Sequence, residues 1–217
     1  MQEVFYTVIE WLFWIGIFIV FYTYLGYGIL LYVLVKVKEL FKKPISIGLP
    51  EPLPEVTLFI AAYNEEDIVA SKMENSHALA YPTDKLKIVW VTDGSNDRTN
   101  ELLKQYPEVT VLFQPQRKGK TAALNRGIQY ITTPYVIFTD ANTMLNKEAV
   151  HEIIRQFSNP EVGCVAGEKR VETNTAQGAT AGEGIYWKYE SALKALDYRL
   201  YSAVGAAGEL FAVRTEL

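Results

Sequence analysis

The sequence predicts an α/β fold, a doubly wound and mostly parallel sheet, preceded by one transmembrane helix. Three observations carry that expectation. The run from Trp11 to Val35 contains no charged residue. After a proline-rich joint, short apolar segments alternate with helical patterns. Those segments are continuous apolar stretches, the pattern of strands covered on both faces.

The apolar run is slightly longer than the roughly 20 residues that cross a bilayer core as a helix, and tilt absorbs the excess. Trp11, Trp14 and Tyr32 sit near its ends, where aromatic rings favour the membrane interface. A buried soluble helix rarely runs this far without a charge, and a cleaved signal peptide fits poorly because the run is too long and no Ala-x-Ala site follows. Lys36, Lys38, Lys42 and Lys43 follow the span, whereas Glu3 and Glu10 precede it. This bias places the later residues on the cytoplasmic face of the cell membrane. The expected organisation is an anchor with its basic flank at 1–43, a linker at 44–54 and a catalytic domain at 55–217. The linker, "PISIGLPEPLP", reads as extended because proline lacks an amide donor and restricts the residue before it.

Expected strands are Val56–Tyr63, Leu86–Asp93, Val109–Phe113, Tyr135–Asp140 and Val162–Gly167. Helical patterns lie near Glu66–Leu79, Asp97–Gln105, Gly119–Ile131 and Lys147–Phe157. The aromatic segment Gly184–Tyr201 reads as a helix packed on the sheet or, alternatively, lying on the bilayer.

With 217 residues, 49% hydrophobic and 21% charged, the chain has a globular composition. A net charge of −4 argues against nucleic acid as a partner. The single cysteine, Cys164, excludes an internal disulfide and reads as a small core residue, and His77 with His151 makes no zinc pattern.

Ligands of such sheets gather at the carboxyl ends of the strands. "YNEED", "DGSNDRT" and "DANT" stand at three of these ends. Each has a plain structural reading. Asn64 suits a turn, Ser95 and Asn96 suit a helix cap, and Glu65 and Glu66 suit a helix amino terminus. Each also has a functional one: Tyr63 could face a base, Asp93 could accept from a base or ribose, and Asp140 with Asn142 could hold a hard cation shared with phosphate. In an extended backbone, residues two apart project together, which brings Asp140 and Asn142 to one side. "QRKGKTAALNRG" places Arg117, Lys118 and Lys120 before a helix amino terminus, a diphosphate environment or a solvated basic loop, without P-loop spacing. Glu168 and Arg170 read either as acceptor-channel residues or as a solvated strand end.

Taken together, "AAYNEE", "VTDGSNDRT", "KGKTAALNRGI" and "FTDANT", followed by "EGIYWKYESALKAL" and "VGAAGELFAVR", resemble the inverting family-2 glycosyltransferases. Within that group they are similar to the membrane-anchored branch related to cellulose, hyaluronan and poly-N-acetylglucosamine synthases. The resemblance covers Val56 to Leu217. It implies a nucleotide-diphospho-sugar transferase (GT-A-like) fold and a nucleotide-sugar donor, commonly a UDP-sugar. It further implies Mg2+ or Mn2+, a saccharide or lipid-linked acceptor, and transfer with inversion. By position, Tyr63 and Glu65 match the nucleoside region and Asp93 the base contact. Lys120 and Asn125 match residues near the diphosphate, and Asp140 begins the metal motif. Gly205 and Gly208 match the acceptor-side glycine segment. Asn142 stands where the family often has a second aspartate, which removes one negative charge. The family's general base follows the glycine segment and is expected beyond Leu217, so an amino-terminal fragment, inactive alone, is the expectation. Two competing readings are a non-catalytic assembly subunit and a sugar-phosphate nucleotidyltransferase. The second lacks the expected glycine- and arginine-rich opening loop.

Overall fold

The computed structural model describes residues 2–42, 47–168, 179–203, 205–206 and 208–217, with backbone alone for 2 and 179–185. The amino-terminal elements are α1 (Gln2–Phe21), a π-helical turn (Tyr22–Gly26) and α2 (Tyr27–Phe41). Then come β1 (Val56–Ala62), α3 (Val69–His77), β2 (Leu86–Asp93), α4 (Thr99–Leu103), β3 (Thr110–Gln114) and α5 (Lys120–Ile128). The chain continues through β4 (Tyr135–Asp140), α6 (Ala149–Gln156), β5 (Cys164–Ala166), α7 (Ala179–Leu200) and β6 (Leu210–Arg214). Two compact units result, one formed by 1–45 with 170–204 and the other by 46–169 with 205–217.

In the first unit, Glu3–Phe41 is a 39-residue helix with a mean hydropathy of 2.1 in its apolar window, long and apolar enough to cross a membrane. At 1.5 Å per residue it reaches about 58 Å, well beyond a hydrocarbon core of about 30 Å. α7 packs along α2, which corrects the expectation that this segment covers the sheet. The match is specific. Gly28 lets Tyr189 and Leu193 approach within 3.2 Å of where a Cβ would stand. The Tyr27 hydroxyl donates to Asp197 at 2.7 Å, and the Lys38 ammonium donates to the carbonyls of Arg199 and Leu200 at the end of α7. A cation at a helix carboxyl terminus meets both orphan carbonyls and the negative end of the dipole.

The second unit holds a six-stranded sheet in the order β3-β2-β1-β4-β6-β5. β3, β2, β1 and β4 are parallel, while β6 runs antiparallel to both β4 and β5. Successive residues of β1 serve opposite faces. Leu58 and Ile60 join Trp90, Met73 and Ile154 on one side, and Phe59 joins Val91, Ala123 and Phe138 on the other. This explains the continuous apolar strands. Burying a large side chain such as Phe59 or Trp90 contributes about 2–3 kcal/mol. Helix α5 lies so close to the sheet that a Cβ on Gly127 would fall 2.3 Å from the Phe59 ring.

Departures from the sequence reading are local. Helices α3 to α6 are shorter at both ends than their apolar patterns, α7 starts at Ala179, ahead of Gly184, and the expected fifth strand shrinks to Cys164–Ala166. Cys164 is exposed, because β5 is an edge strand with β6 as its neighbour. Arg170 lies outside the described residues, as do 43–46 of the anchor flank and linker. At the end of the linker, Leu53 and Pro54 offer carbonyls to Lys85 and Tyr81, at 2.5 and 2.6 Å.

Candidate active site at the carboxyl rim of the sheet

Strand register sets the site. Ala61 pairs with Asp140 on one side, and Ala62 pairs with Thr92 on the other, so β1, β2 and β4 end level. The chain passes from β1 to β2 on one flank but places β4 on the opposite flank. The gap between β1 and β4 is therefore the switch point where such sheets receive ligands.

The loops after β1 and β2 are cross-linked. Asn64 takes a positive φ of 53°, which asparagine tolerates. Its amide N–H donates to Ser95 Oγ, its carboxamide donates to Asn96 Oδ1 at 2.9 Å, and Asn96 N–H returns a bond to Asn64 Oδ1 at 3.0 Å. Glu65 N–H donates to the buried Thr99 hydroxyl at 2.8 Å. Glu66 N–H donates to Asp97, while Arg98 N–H donates to Glu66 Oε2. Asn64 is the turn residue the sequence suggested. Ser95, Asn96 and Glu66 instead join the two loops and cap no helix, since α4 starts at Thr99 and α3 at Val69 without a side-chain cap.

Asp93 is only 5% exposed. Its carboxylate accepts from the amides of Lys118, at 3.0 and 3.1 Å, and of Gly119, at 2.6 Å. A buried carboxylate needs such partners. The two amides that the sequence offered to a diphosphate are thus taken by Asp93. Gly94 lets this loop pass, since a Cβ there would stand 2.7 Å from the Arg117 backbone nitrogen. The Arg117 guanidinium lies over the Tyr63 ring at 3.8 Å, a cation–π contact at the outer edge of the rim.

Lys120, the first residue of α5, carries the loop to β4. Its ammonium is 2.5 Å from Asp140 Oδ1 and donates to the Gly208 carbonyl at 3.0 Å. Lys120, Asp140 and the Gly208 carbonyl therefore converge, and Asp93 holds the loop that leads into Lys120. Glu65 faces the same gap, and burial pushes its carboxyl pKa up, with Asp140 and Asp97 adding repulsion. Asn142 does not share the strand's alternation. Thr143 N–H donates back to Asp140 O at 3.2 Å, so the chain turns at Asp140 and Asn142 is exposed on that turn. Asn125 is exposed on α5, five residues past Lys120 and about 140° around the helix from it. Gly205 is exposed with a φ of 78°, in the segment leading to Gly208.

The sequence reading missed what lies under the β4 turn. Lys72 of α3 is fully buried. Its ammonium donates to Thr139 Oγ1 at 3.3 Å and to the Thr143 carbonyl. Burial pulls its pKa down to about 8, opposed by the Asp140 charge. Asn75 clamps the next residues, donating to Leu145 O at 2.8 Å and accepting from Leu145 N at 2.9 Å. Val69, Lys72, Met73 and Ser76 form one helical stripe, so the lysine sits where an apolar residue is expected, and that was its signal.

Among the described residues no group of three or more His, Cys, Asp or Glu side chains could cage a metal. One carboxylate does suit an ion that takes its remaining oxygens from phosphate and water, as Mg2+ usually does. Asp140 already pairs with a cation, the Lys120 ammonium. The residues fit a shared ion better than a protein-only site.

The six-stranded mixed sheet defines the fold as GT-A-like. The chain belongs to glycosyl transferase family 2, whose model matches residues 57–216. It is 33% identical over 139 residues to the poly-beta-1,6-N-acetyl-D-glucosamine synthase of Staphylococcus aureus, covering 62% of this chain and 33% of that protein. It is 29% identical over 165 residues to the beta-monoglucosyldiacylglycerol synthase of Synechocystis, covering 73% of this chain and 34% of that one. The chain thus spans about a third of the length of these curated relatives. Among solved structures it resembles the mannosyltransferase PcManGT of Pyrobaculum calidifontis, in complex with GDP-Man and Mn2+. That match has a TM-score of 0.69 at 24% identity, over 90% of this chain and 54% of that one, and it shows likeness of fold.

Proposed function

We propose that the chain is the donor-binding part of a membrane-associated glycosyltransferase. In this reading it takes a sugar from a nucleotide-diphospho-sugar, a UDP-sugar in the first instance, and passes it with inversion to a saccharide or lipid-linked acceptor. The observation that carries the reading is the Lys120–Asp140 pair beside the Asp93-held loop at the switch point. An ammonium and a carboxylate at that spot can turn to a diphosphate and its cation. The named relatives, one making an N-acetylglucosamine polymer and one a glucosyl lipid, support both acceptor classes.

In this reading Tyr63 and Asp93 border the nucleoside, and Lys120 binds the diphosphate. Asp140, with Asn142 on the same turn, would hold Mg2+ or Mn2+. A bound divalent ion would supply charge neutralisation at the departing diphosphate. Lys120 adds a positive charge at the same leaving group, and Gly208 brings the acceptor-side segment against it. The basic residues after the apolar run, Lys36, Lys38 and Lys42, favour a cytoplasmic location for the residues that follow.

Calorimetric titration of the detergent-solubilised chain with UDP, in Mn2+ and in EDTA, tests this. The expected result is binding that Mn2+ tightens about tenfold or more and that Lys120→Met weakens. Absence of UDP and GDP binding in either buffer would overturn the reading.

A further inference from the structure

We infer that Lys72 is a positioning residue for the donor site: held under the β4 turn, its ammonium sets the pose in which Asp140 meets a diphosphate-bound cation. The inference rests on the donor-site reading above and concerns a residue outside the rim itself.

A lysine with no exposed surface is rare unless it is paired, because desolvating the charge is costly. An apolar side chain of similar length would fill the same stripe of α3 without that cost. The partners of the ammonium show what the charge does there. Thr139 Oγ1 lies just before Asp140 and the Thr143 carbonyl lies three residues after it, so one cation spans the whole turn. One helical turn further along α3, Asn75 pairs with both backbone groups of Leu145. Helix α3 is therefore a template for residues 139–145. Lys72 has no exposed surface, so it acts on Asp140 from beneath, through the backbone it holds and through its charge. Residues that orient a metal ligand typically change metal affinity by about 10–100-fold when replaced. Here the first layer is thin, with one carboxylate and one carboxamide, so its pose depends heavily on this support.

The test is a thermodynamic cycle on the full chain in detergent, measuring UDP affinity in EDTA and in Mn2+ for wild type, Lys72→Met and Thr139→Val. Methionine keeps the stem and removes the ammonium, and Thr139→Val removes one of its acceptors. In wild type, Mn2+ is expected to tighten UDP about tenfold or more. In Lys72→Met, UDP affinity in EDTA is expected within about twofold of wild type, while the Mn2+ enhancement falls about tenfold. Thr139→Val is expected to fall between them. A residue that merely supports the fold would lower the melting temperature and leave the enhancement intact. Full Mn2+ enhancement in folded Lys72→Met would overturn the inference while leaving the donor-site reading standing. If Lys72→Met does not fold, Thr139→Val decides: reduced enhancement supports the role, and wild-type enhancement overturns it. Wild type that binds neither UDP nor GDP would overturn both, and wild type that binds UDP without regard to Mn2+ would overturn the inference.

Discussion

On the β1–β2 flank of the rim, loop is tied to loop by a closed set of hydrogen bonds, from Asn64–Ser95 and Glu65–Thr99 to Glu66–Asp97. In it hydroxyl, carboxamide and carboxylate oxygens accept, mostly from backbone amides. On the β4 flank, the turn after Asp140 is held from beneath by the Lys72 ammonium and from outside by Lys120. The first set is satisfied without a ligand and has nothing to exchange. In the second, opposite charges answer each other and can be redirected when a stronger anion and cation arrive. The difference separates a preformed wall from a responsive one. In the proposed reaction the wall borders the nucleoside, and the responsive side meets the diphosphate, where charge develops.

Replacing the pivot of the responsive side should have the largest effect. Asp140→Asn keeps the shape and removes the charge, and the Mn2+ enhancement of UDP affinity is expected to vanish altogether by calorimetry. The next effect appears in stability against pH. Lys72 titrates near 8 in the fold against 10.5 for an ordinary lysine. Between those values the unfolded chain holds the proton and the folded chain has lost it, so wild-type stability gains on Lys72→Met as pH rises through the window. Below it both states are protonated and the gain is absent. Denaturant melts at pH 7 and pH 10 should show the difference changing by roughly 2 kcal/mol.

The wall should respond in the opposite manner. Thr99→Val leaves the Glu65 amide without its acceptor and is expected to cost about 1–2 kcal/mol of stability in urea melts. UDP affinity should stay within about threefold, because no charge at the rim changes. A comparable loss of Mn2+ enhancement in Thr99→Val would dissolve the distinction between the two flanks. The smallest expected effect is Arg117→Ala. Removing the guanidinium over Tyr63 should weaken UDP binding by about 0.5–1 kcal/mol, read in the same titration.

Much of this was legible in the chain. Runs such as "VTLFIAA" and "YVIF" announce strands buried on both faces, and their ends fix where Asp93 and Asp140 lie. Other parts depend on contacts between distant segments. Nothing near Asp93 says that its carboxylate takes the amides of Lys118 and Gly119, because that bond joins residues 25 and 26 positions apart. Asn142 departs from the expected placement because β4 ends at Asp140 and the chain turns there, so the side-by-side projection of residues two apart no longer holds. Strand β6, set between β4 and β5, hides in a glycine-flanked tail, since an antiparallel strand of five residues carries little periodicity. Lys72 was readable in principle from its stripe with Val69 and Met73, but a lone lysine in a helix normally points to water.

The central claim is that Asp140 serves a cation brought by a diphosphate and does not cage one alone. Electron paramagnetic resonance of Mn2+ titrated with the wild-type chain, with and without UDP, measures this directly. Little bound Mn2+ is expected from protein alone, and stoichiometric loss of the free-ion signal once UDP is present. Tight Mn2+ binding without UDP, or no protein-dependent loss of signal with it, would contradict the claim.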